Sequence, residues 1–272
     1  QKTLRLSNLT HFILDEADQM VDMGFIRDIE KILRYTPKKK QMILFGATLS
    51  NEIGLIREKY MNNPLIAESE SHVTEEYLEQ YYYNVQKHKK FSLLVHLLKT
   101  EKADQIIVFC SNIRTVEVVA KNLKAQGIKA GMIHGKMNQN KRIRSINEFN
   151  DGKRSILVAS PVAARGLDIK NVSHIFNYDL SKDPQEYVHR VGRTARAGET
   201  GKAFTLLSAR DHPAFGQILQ SYDLNIQELV TDNFPIVKFE IGESRQRGNN
   251  RFRGQRVRSR YGQRHGRSRP RR

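Results

Sequence analysis

Short apolar runs alternate with segments of helical periodicity along most of the chain. In the first 66 residues, the apolar runs at 12–14 and 42–45 predict strands. Apolar side chains at 25, 29, 32 and 33 recur at helical spacing between these runs, and a second helix is expected to begin at Ser50. This part of the chain is therefore predicted to be a β-α-β-α unit.

The alternation is interrupted once and then resumes. Pro64 and the polar stretch 68–76 predict a linker over residues 67–76. Beyond it, helices are predicted around 91–98, 116–123 (ended by Gly127) and 143–149, and strands at 81–83, 106–109, 130–133, 156–158, 175–176 and 203–207. Strands alternating with helices of this length predict an α/β fold with a parallel sheet covered on both faces. Such sheets bind ligands at the carboxyl ends of their strands.

Composition divides the chain into a folded part and a basic tail. The 272 residues are 39% hydrophobic, which is enough for one or two ordinary cores. The net charge is +17, and residues 244–272 carry +12 of it because they hold twelve Arg and no acid. Little in this stretch could be buried, apart from Phe252 and Tyr261, so we predict a disordered tail over residues 233–272.

The positive charge indicates a polyanionic partner, either nucleic acid or an anionic membrane surface. The sequence has neither an apolar run of about 20 residues nor a basic amphipathic helix, which favours nucleic acid and no membrane. A single cysteine, Cys110, excludes a disulfide framework and fits a reducing, cytoplasmic location. It ends an apolar run and is expected to pack in a core. The start at Gln1, without Met or a signal sequence, suggests that the chain begins within a longer protein.

The first candidate site is the sequence Asp15-Glu16-Ala17-Asp18, which follows the first predicted strand. An acidic pair in this place can hold Mg²⁺ and polarise a water molecule in a nucleotide hydrolase. Acidic residues also end strands as helix caps or solvated turns, so these four residues alone leave both interpretations open.

Two further candidates also follow strands. In Gly46-Ala47-Thr48, small residues would allow a partner domain to approach, although Thr48 could simply begin the turn before Ser50. The stretch from Ser160 to Asp168 combines a hydroxyl, a glycine and a carboxylate that suit phosphate and ribose contacts. Loops at strand ends need the same residue types for their turns.

The most informative stretch is His189-Arg190-Val191-Gly192-Arg193-Thr194-Ala195-Arg196. Arg193 and Arg196 are three residues apart and can project to one side, where guanidinium groups match phosphate oxygens. The alternative is a basic surface helix. The apolar neighbours Tyr187 and Val191 argue against it, since they predict a partly buried segment in which unpaired arginines would be costly.

In order and spacing, six motifs resemble those of DEAD-box RNA helicases. They are Asp-Glu-Ala-Asp, Gly-Ala-Thr, Phe-Cys-Ser at 109–111, Gln139-x-x-Arg142, Ala-Arg-Gly-Leu-Asp at 164–168, and the His-Arg-Val-Gly-Arg-Thr-Ala-Arg stretch. They extend over residues 11–198, and the resemblance reaches about residue 232.

This resemblance implies tandem RecA-like domains that close on ATP and single-stranded RNA together. Residues 1–66 would be the end of an N-terminally truncated ATP-binding domain, and residues 77–232 the helicase C-terminal domain. Carried over, Asp15 would hold Mg²⁺ and Glu16 would position the attacking water. The other nucleotide-side residues would be Asp18 and Thr48 at the domain interface, His189 bridging to them, Arg193 and Arg196 as arginine fingers, and Gly166 and Asp168 near the ribose.

The same resemblance implies RNA contacts that position a strand without identifying its sequence. They would be made by Ser111, Gly135, Gln139, Arg142 and Ser160. Domain closure would bend the strand and open short duplexes, driven by ATP.

The sequence departs from the family pattern at three positions. Gly46 replaces the usual serine and cannot offer a hydroxyl to Asp18, which would loosen the coupling of hydrolysis to duplex opening. Pro161 replaces an aspartate and removes a carboxylate and an N–H. Ala195 replaces a glycine, a change expected to be mild unless the position needs a positive φ.

The 272 residues contain no Gly-x-x-x-x-Gly-Lys-Thr loop and no adenine-recognising glutamine motif, so the chain alone is expected not to hydrolyse ATP. Its tail suits RNA capture and contacts within ribonucleoproteins, or else is a solvated extension. Two other functions stay open: a non-catalytic RNA-binding or annealing protein with a decayed first domain, and a DNA-directed helicase relative.

Overall fold

The computed structural model describes residues 4–46, 51–67, 77–164, 169, 171–195, 199–222, 224–231 and 233–241, with backbone alone at 22, 51 and 52. Contacts within the chain separate two units, Gln1–Leu78 and Glu79–Arg272. Six predicted features lie outside the described residues: Thr48, Ser50, the polar linker stretch 68–76, the loop around Gly166 and Asp168, Arg196, and the tail from residue 242 onward.

The first unit has the predicted β-α-β-α order, with one additional helix. Its elements are β1 (His11–Leu14), α1 (Ala17–Asp22), α2 (Ile26–Arg34), β2 (Gln41–Leu44) and α3 (Asn51–Tyr60). Strands β1 and β2 pair in parallel, with His11 opposite Gln41 and Leu14 opposite Leu44. The apolar faces of the helices meet these strands in one small core that includes Leu14, Ile29, Leu33, Ile53 and Ile56.

The second unit is an α/β sandwich around a seven-stranded sheet. Its strands are β3 (Leu78–Asn84), β4 (Ile106–Phe109), β5 (Ala130–Ile133), β6 (Ile156–Ala159), β7 (His174–Asn177), β8 (Gly201–Leu207) and β9 (Ile226–Glu228). Its helices are α4 (Lys90–Thr100), α5 (Ile113–Ala125), α6 (Gln139–Asn150), α7 (Pro161–Ala164), α8 (Pro184–Val191) and α9 (His212–Ser221), with a 3₁₀ turn at Ala209–Asp211.

The strand order is β5-β6-β4-β7-β8-β3-β9. Strand β4 pairs in parallel with β6 on one side and with β7 on the other, and β5–β6 and β7–β8 are parallel too. All four residues of β4 and of β6 are buried, as expected for central strands covered by helices on both faces. The predicted parallel α/β fold is therefore confirmed. In the described ranges, no helix is both long and apolar enough to cross a membrane.

Local signals explain several boundaries in this unit. The side chains of Asn112 and Asn138 accept hydrogen bonds from the third N–H of α5 and α6, and Asp183 caps α8 ahead of a proline at its first position. Gly127 follows α5 with a φ of +78°, the left-handed conformation that ends many helices. Cys110 is fully buried in the core, as predicted, and this burial raises the pKa of its thiol.

Residues 233–241 form an extended strap across α4 and α5, so the predicted start of the tail at residue 233 is too early. The Phe239 ring packs 4.6 Å from the Phe91 ring, measured between centroids. Asn122 binds the Glu240 backbone twice, accepting from its N–H at 2.8 Å and donating to its carbonyl at 3.0 Å. The apolar side chains at 234, 237 and 239 bury against the second core, which gives this stretch the stabilisation that an Arg-rich sequence lacks.

Candidate functional site

The acidic motif of the first unit lies at the carboxyl end of β1, beside the end of β2. Phe45 N–H donates to the Leu14 carbonyl at 2.8 Å, and Ala17 N–H donates to the Phe45 carbonyl at 2.9 Å. These two bonds hold the start of α1 against the strand ends. Glu16, between strand and helix, has φ 50° and ψ 43°. A non-glycine residue in this left-handed region is uncommon, and such residues cluster at functional sites.

The three acidic side chains of this motif have different surroundings. Asp15 is exposed, and its carboxylate accepts from Glu16 N–H at 2.9 Å. Asp18, in the first turn of α1, is only 2% exposed. Gly46, the first residue of the Gly-Ala-Thr motif, is exposed one position after Phe45, and Thr48 lies outside the described residues. Glu16 is partly exposed, so solvent and ligands can reach Asp15 and Glu16 but not the buried Asp18.

The donor set fits Mg²⁺ only when nucleotide phosphates complete it. Within the part of the chain that the structure describes, no group of three or more His, Cys, Asp or Glu side chains could hold a metal ion. Mg²⁺ commonly takes one or two carboxylates and fills its other positions with phosphate oxygens and water. Asp15 offers such a carboxylate at a sheet edge.

In the second unit, the predicted RNA contacts gather at one edge of the sheet. Ser111 follows β4, Gly135 follows β5 and Ser160 follows β6, and these three strands are neighbours running in the same direction. Gln139 is the first residue of α6, after the loop that contains Gly135. Arg142, one turn further, donates from Nη2 to the Ala163 carbonyl at 2.9 Å and so joins α6 to α7.

These side chains differ in accessibility. Gly135, Gln139 and Ser111 are exposed, whereas Ser160 is only 6% exposed. Its carbonyl accepts from the Ala163 and Ala164 N–H groups at the start of α7. Pro161 is the first residue of this helix, where a missing N–H does no harm.

Helix α8 carries His189 and leads into Arg193, and both line a small cleft together with Phe109, Pro161 and Glu186. Both predicted residues are partly exposed. The strand before α8 is β7, which pairs with β4, so α8 begins at the same sheet edge as the predicted RNA contacts. Arg196 lies outside the described residues.

Arg190 has a structural place that sequence alone did not assign. It is 3% exposed, donates from Nη1 to the Asp179 carbonyl at 2.7 Å and pairs through Nη2 with Glu186. Its guanidinium lies 5.5 Å from the centroid of the Phe109 ring. Burial lowers the pKa of Arg190, and the neighbouring Glu186 opposes that shift. The basic segment is thus anchored in the core by one arginine and presents another at its end.

The turn after Arg193 packs closely against Val172 and Gly201. Thr194 is buried and donates from its hydroxyl to the Val172 carbonyl. A Cβ on Gly201 would lie 2.2 Å from Thr194 Oγ1 and 2.8 Å from Ala195 N, so only glycine fits there. Ala195 has a φ of +55°. Because glycine adopts a positive φ far more easily than alanine, the change from the family's glycine to Ala195 is not mild.

Comparisons with known proteins identify the family. Two family models match the chain, DEAD/DEAH box helicase over residues 1–56 and helicase conserved C-terminal domain over residues 89–198. The structure of the E. coli DEAD-box protein SrmB, bound to regulator of ribonuclease activity A, is 40% identical, with a TM-score of 0.55. The match covers 91% of that chain and 57% of this one. The chain belongs to the DEAD-box helicase family.

Other DEAD-box relatives extend the likeness over both units. The DEAD-box ATP-dependent RNA helicase CshA of Geobacillus kaustophilus is 44% identical over 210 residues, which are 77% of this chain and 45% of the relative. The chain therefore spans somewhat less than half the length of the curated relatives it matches. S. cerevisiae Dbp5 bound to RNA and ADP BeF3 is 28% identical with a TM-score of 0.76, covering 83% of this chain and 61% of that one.

Sequence reasoning missed Asp179, Glu186 and Gly201. Asp179 follows β7 by two residues, and a carboxylate just after a strand was the signal that could have found it. Glu186 is four residues before Arg190 on α8, the spacing of an ion pair on a helix. Gly201 had no local signal, because its neighbours Thr194 and Ala195 approach only in the folded chain.

Proposed function

We propose that this chain is part of an ATP-dependent RNA helicase. It supplies residues that act on the nucleotide and it holds single-stranded RNA, so that the whole enzyme opens short RNA duplexes locally. One observation carries the proposal. The residues that follow β4, β5 and β6 and the helix that follows β7 lie at the same edge of the sheet, so the proposed RNA contacts adjoin the helix that leads to Arg193. The names of the relatives, an ATP-dependent RNA helicase and an RNA-bound structure, support it.

On the nucleotide side, Asp15 would hold Mg²⁺ together with the phosphates of ATP, and the ion would neutralise charge on the phosphate oxygens. Glu16, the partly exposed residue between β1 and α1, orients the attacking water. Asp18, Thr48 and His189 relay the state of the nucleotide. Arg193 and Arg196 contact the γ-phosphate. Gly166 and Asp168 contact the ribose. Guanidinium groups suit this task because they pair with phosphate oxygens and stabilise the charge distribution of the transition state.

On the RNA side, Ser111, Gly135, Gln139, Arg142 and Ser160 contact the sugar–phosphate backbone. These contacts position a strand irrespective of its sequence, so the chain should bind many RNAs. The basic residues 244–272 add a sequence-independent, salt-sensitive contribution and a means of joining ribonucleoproteins. A cytoplasmic location is part of the proposal, since the one thiol, Cys110, is free and buried.

The first experiment measures RNA binding and ATP hydrolysis by the 272-residue chain. We expect a labelled single-stranded RNA to bind in a salt-dependent manner, and RNA-stimulated phosphate release to be undetectable because the sequence has no phosphate-binding loop. Removing residues 244–272 should weaken binding and flatten its dependence on salt. Unchanged affinity and salt slope would exclude the tail as an RNA tether.

The second experiment tests Glu16 in a protein that joins this chain to a phosphate-binding loop. Glu16→Gln should reduce ATP hydrolysis by about 10²- to 10⁴-fold, the range for loss of a proton-accepting group, and should leave ATP affinity intact. Glu58→Gln, an exposed change on α3, is the matched control and should not alter turnover. Equal turnover in both variants would remove Glu16 from its proposed role, and strand annealing without ATP-dependent unwinding would favour the non-catalytic alternative.

A further inference from the structure

Asp179 lies between the ends of two central strands. Its N–H donates to the Phe109 carbonyl at 3.2 Å, which places it beside the last residue of β4. Its Oδ2 atom accepts two hydrogen bonds from Ser111, one from the N–H and one from the hydroxyl, each at 3.0 Å. The side chain of Asp179, two residues after β7, therefore fixes the conformation of the loop after β4.

The same residue anchors α8 through its backbone. The Asp179 carbonyl accepts from Arg190 Nη1 at 2.7 Å, and Arg190 is buried against Phe109 and paired with Glu186. A buried guanidinium is costly unless its donors are satisfied, so this carbonyl fixes where Arg190, and with it α8, can lie. Asp179 thus contacts the proposed RNA loop with its side chain and the proposed nucleotide-sensing helix with its main chain.

The Ser111 hydroxyl is already engaged in this arrangement. It donates to Asp179 and accepts from Asn112 Nδ2 at 3.1 Å, while Asn112 Oδ1 caps α5. An RNA strand that takes a hydrogen bond from Ser111 must compete with Asp179, and one that donates to Ser111 polarises the bond to Asp179. Either contact changes the forces on Asp179.

We propose that Asp179 is a positioning residue that couples RNA contact at Ser111 to helix α8 and to Arg193 beyond it. This inference rests on the proposed function for the identity of the two ligands. Coupling between two sites is reciprocal, so a phosphate contact at Arg193 should in turn change the affinity of the Ser111 loop for RNA.

The test compares the wild-type chain with Asp179→Asn by hydrogen–deuterium exchange, with and without a saturating single-stranded oligouridylate. Peptides covering residues 111–116 report the loop, and peptides covering 184–195 report α8. In the wild type, RNA should slow exchange in both. Both bonds from Ser111 end on Oδ2, so in Asp179→Asn they must go to an uncharged and weaker acceptor. RNA should then still protect the loop but protect α8 at least threefold less.

Two further variants keep the result interpretable. Asp151→Asn changes an exposed aspartate that pairs with Lys153 and should behave as wild type. Ser111→Ala removes the hydroxyl from the exposed side without touching Arg190, so it provides the same comparison, at saturating RNA, if Asp179→Asn does not fold.

Each outcome bears on a different claim. Full protection of α8 by RNA in Asp179→Asn, or in Ser111→Ala when that variant stands in, would overturn the role of Asp179. So would RNA binding to the wild-type chain without any protection of α8. Failure of the wild-type chain to bind RNA at all would instead count against the proposed function.

Discussion

Replacing Ala195 by glycine should stabilise the second unit. Ala195 has a φ of +55° in the turn after Arg193, directly above Gly201. In the left-handed region the Cβ of an alanine lies too close to the following carbonyl oxygen, a strain that glycine does not have. Tertiary contacts hold the residue there, since Thr194 is buried and its hydroxyl donates to the Val172 carbonyl.

The magnitude follows from two opposing contributions. A left-handed non-glycine residue costs about 1–2 kcal/mol. Glycine gives the unfolded chain more freedom, which offsets about 0.4–1 kcal/mol of the gain. The net expectation is an increase of roughly 0.5–1 kcal/mol in the free energy of unfolding, or about 1–4 °C in the melting temperature of a unit of this size.

Urea unfolding monitored through hydrogen exchange of the amides in β7 and β8 measures the stability of the second unit separately from that of the first. Two controls bracket the effect. Ala125→Gly in helix α5 should lose stability, by about 0.5–1 kcal/mol, because its φ suits alanine. Asn171→Gly, at a φ of +56°, should gain less than Ala195→Gly because asparagine tolerates this region. The strain argument would be refuted if Ala195→Gly left the free energy of unfolding unchanged or lowered it while Ala125→Gly lowered it as expected.

Two other substitutions test packing and charge. Gly201→Ala should destabilise the second unit by about 1–3 kcal/mol, since its Cβ would overlap Thr194, whereas Gly216→Ala in α9, with open space around it, should stabilise by about 0.5–1 kcal/mol. Hydrogen bonds from Arg154, and then Arg144, lower the pKa of Glu148 to about 2 from an ordinary value of 4.5. Glu148 therefore contributes stability above about pH 4.5 that is lost as pH falls through 2, so Glu148→Gln should be less stable than wild type at pH 7, and the difference should shrink steadily as pH falls from 4.5 to 2. A stability difference that does not change with pH in urea unfolding would contradict this.

Much of the second unit could be predicted from sequence because its signals are local. The apolar runs of β4 and β6 are those of fully buried parallel strands, and Gly127 ends α5 as its position suggested. The strap at 233–241 was missed because the three apolar side chains that pack on the core, at 234, 237 and 239, follow neither helical nor strict alternating spacing. Its stability depends on Asn122 and Ser92, more than a hundred residues away in sequence.

For the candidate site, sequence by itself determined the family and the residue types, because six motifs in order are specific even when each is weak. It could not determine which of those residues are exposed, paired or strained. Arg190 is a core anchor while Arg193, three residues later, is partly exposed, and only the contacts of Arg190 with Asp179 and Glu186 make that distinction. The left-handed φ of Ala195 is likewise a property of the folded chain, in which the hydroxyl of the buried Thr194 donates to the Val172 carbonyl. Both effects depend on main-chain partners outside the local segment, the Asp179 carbonyl for Arg190 and the Val172 carbonyl for Thr194, and only folding brings these within hydrogen-bonding distance.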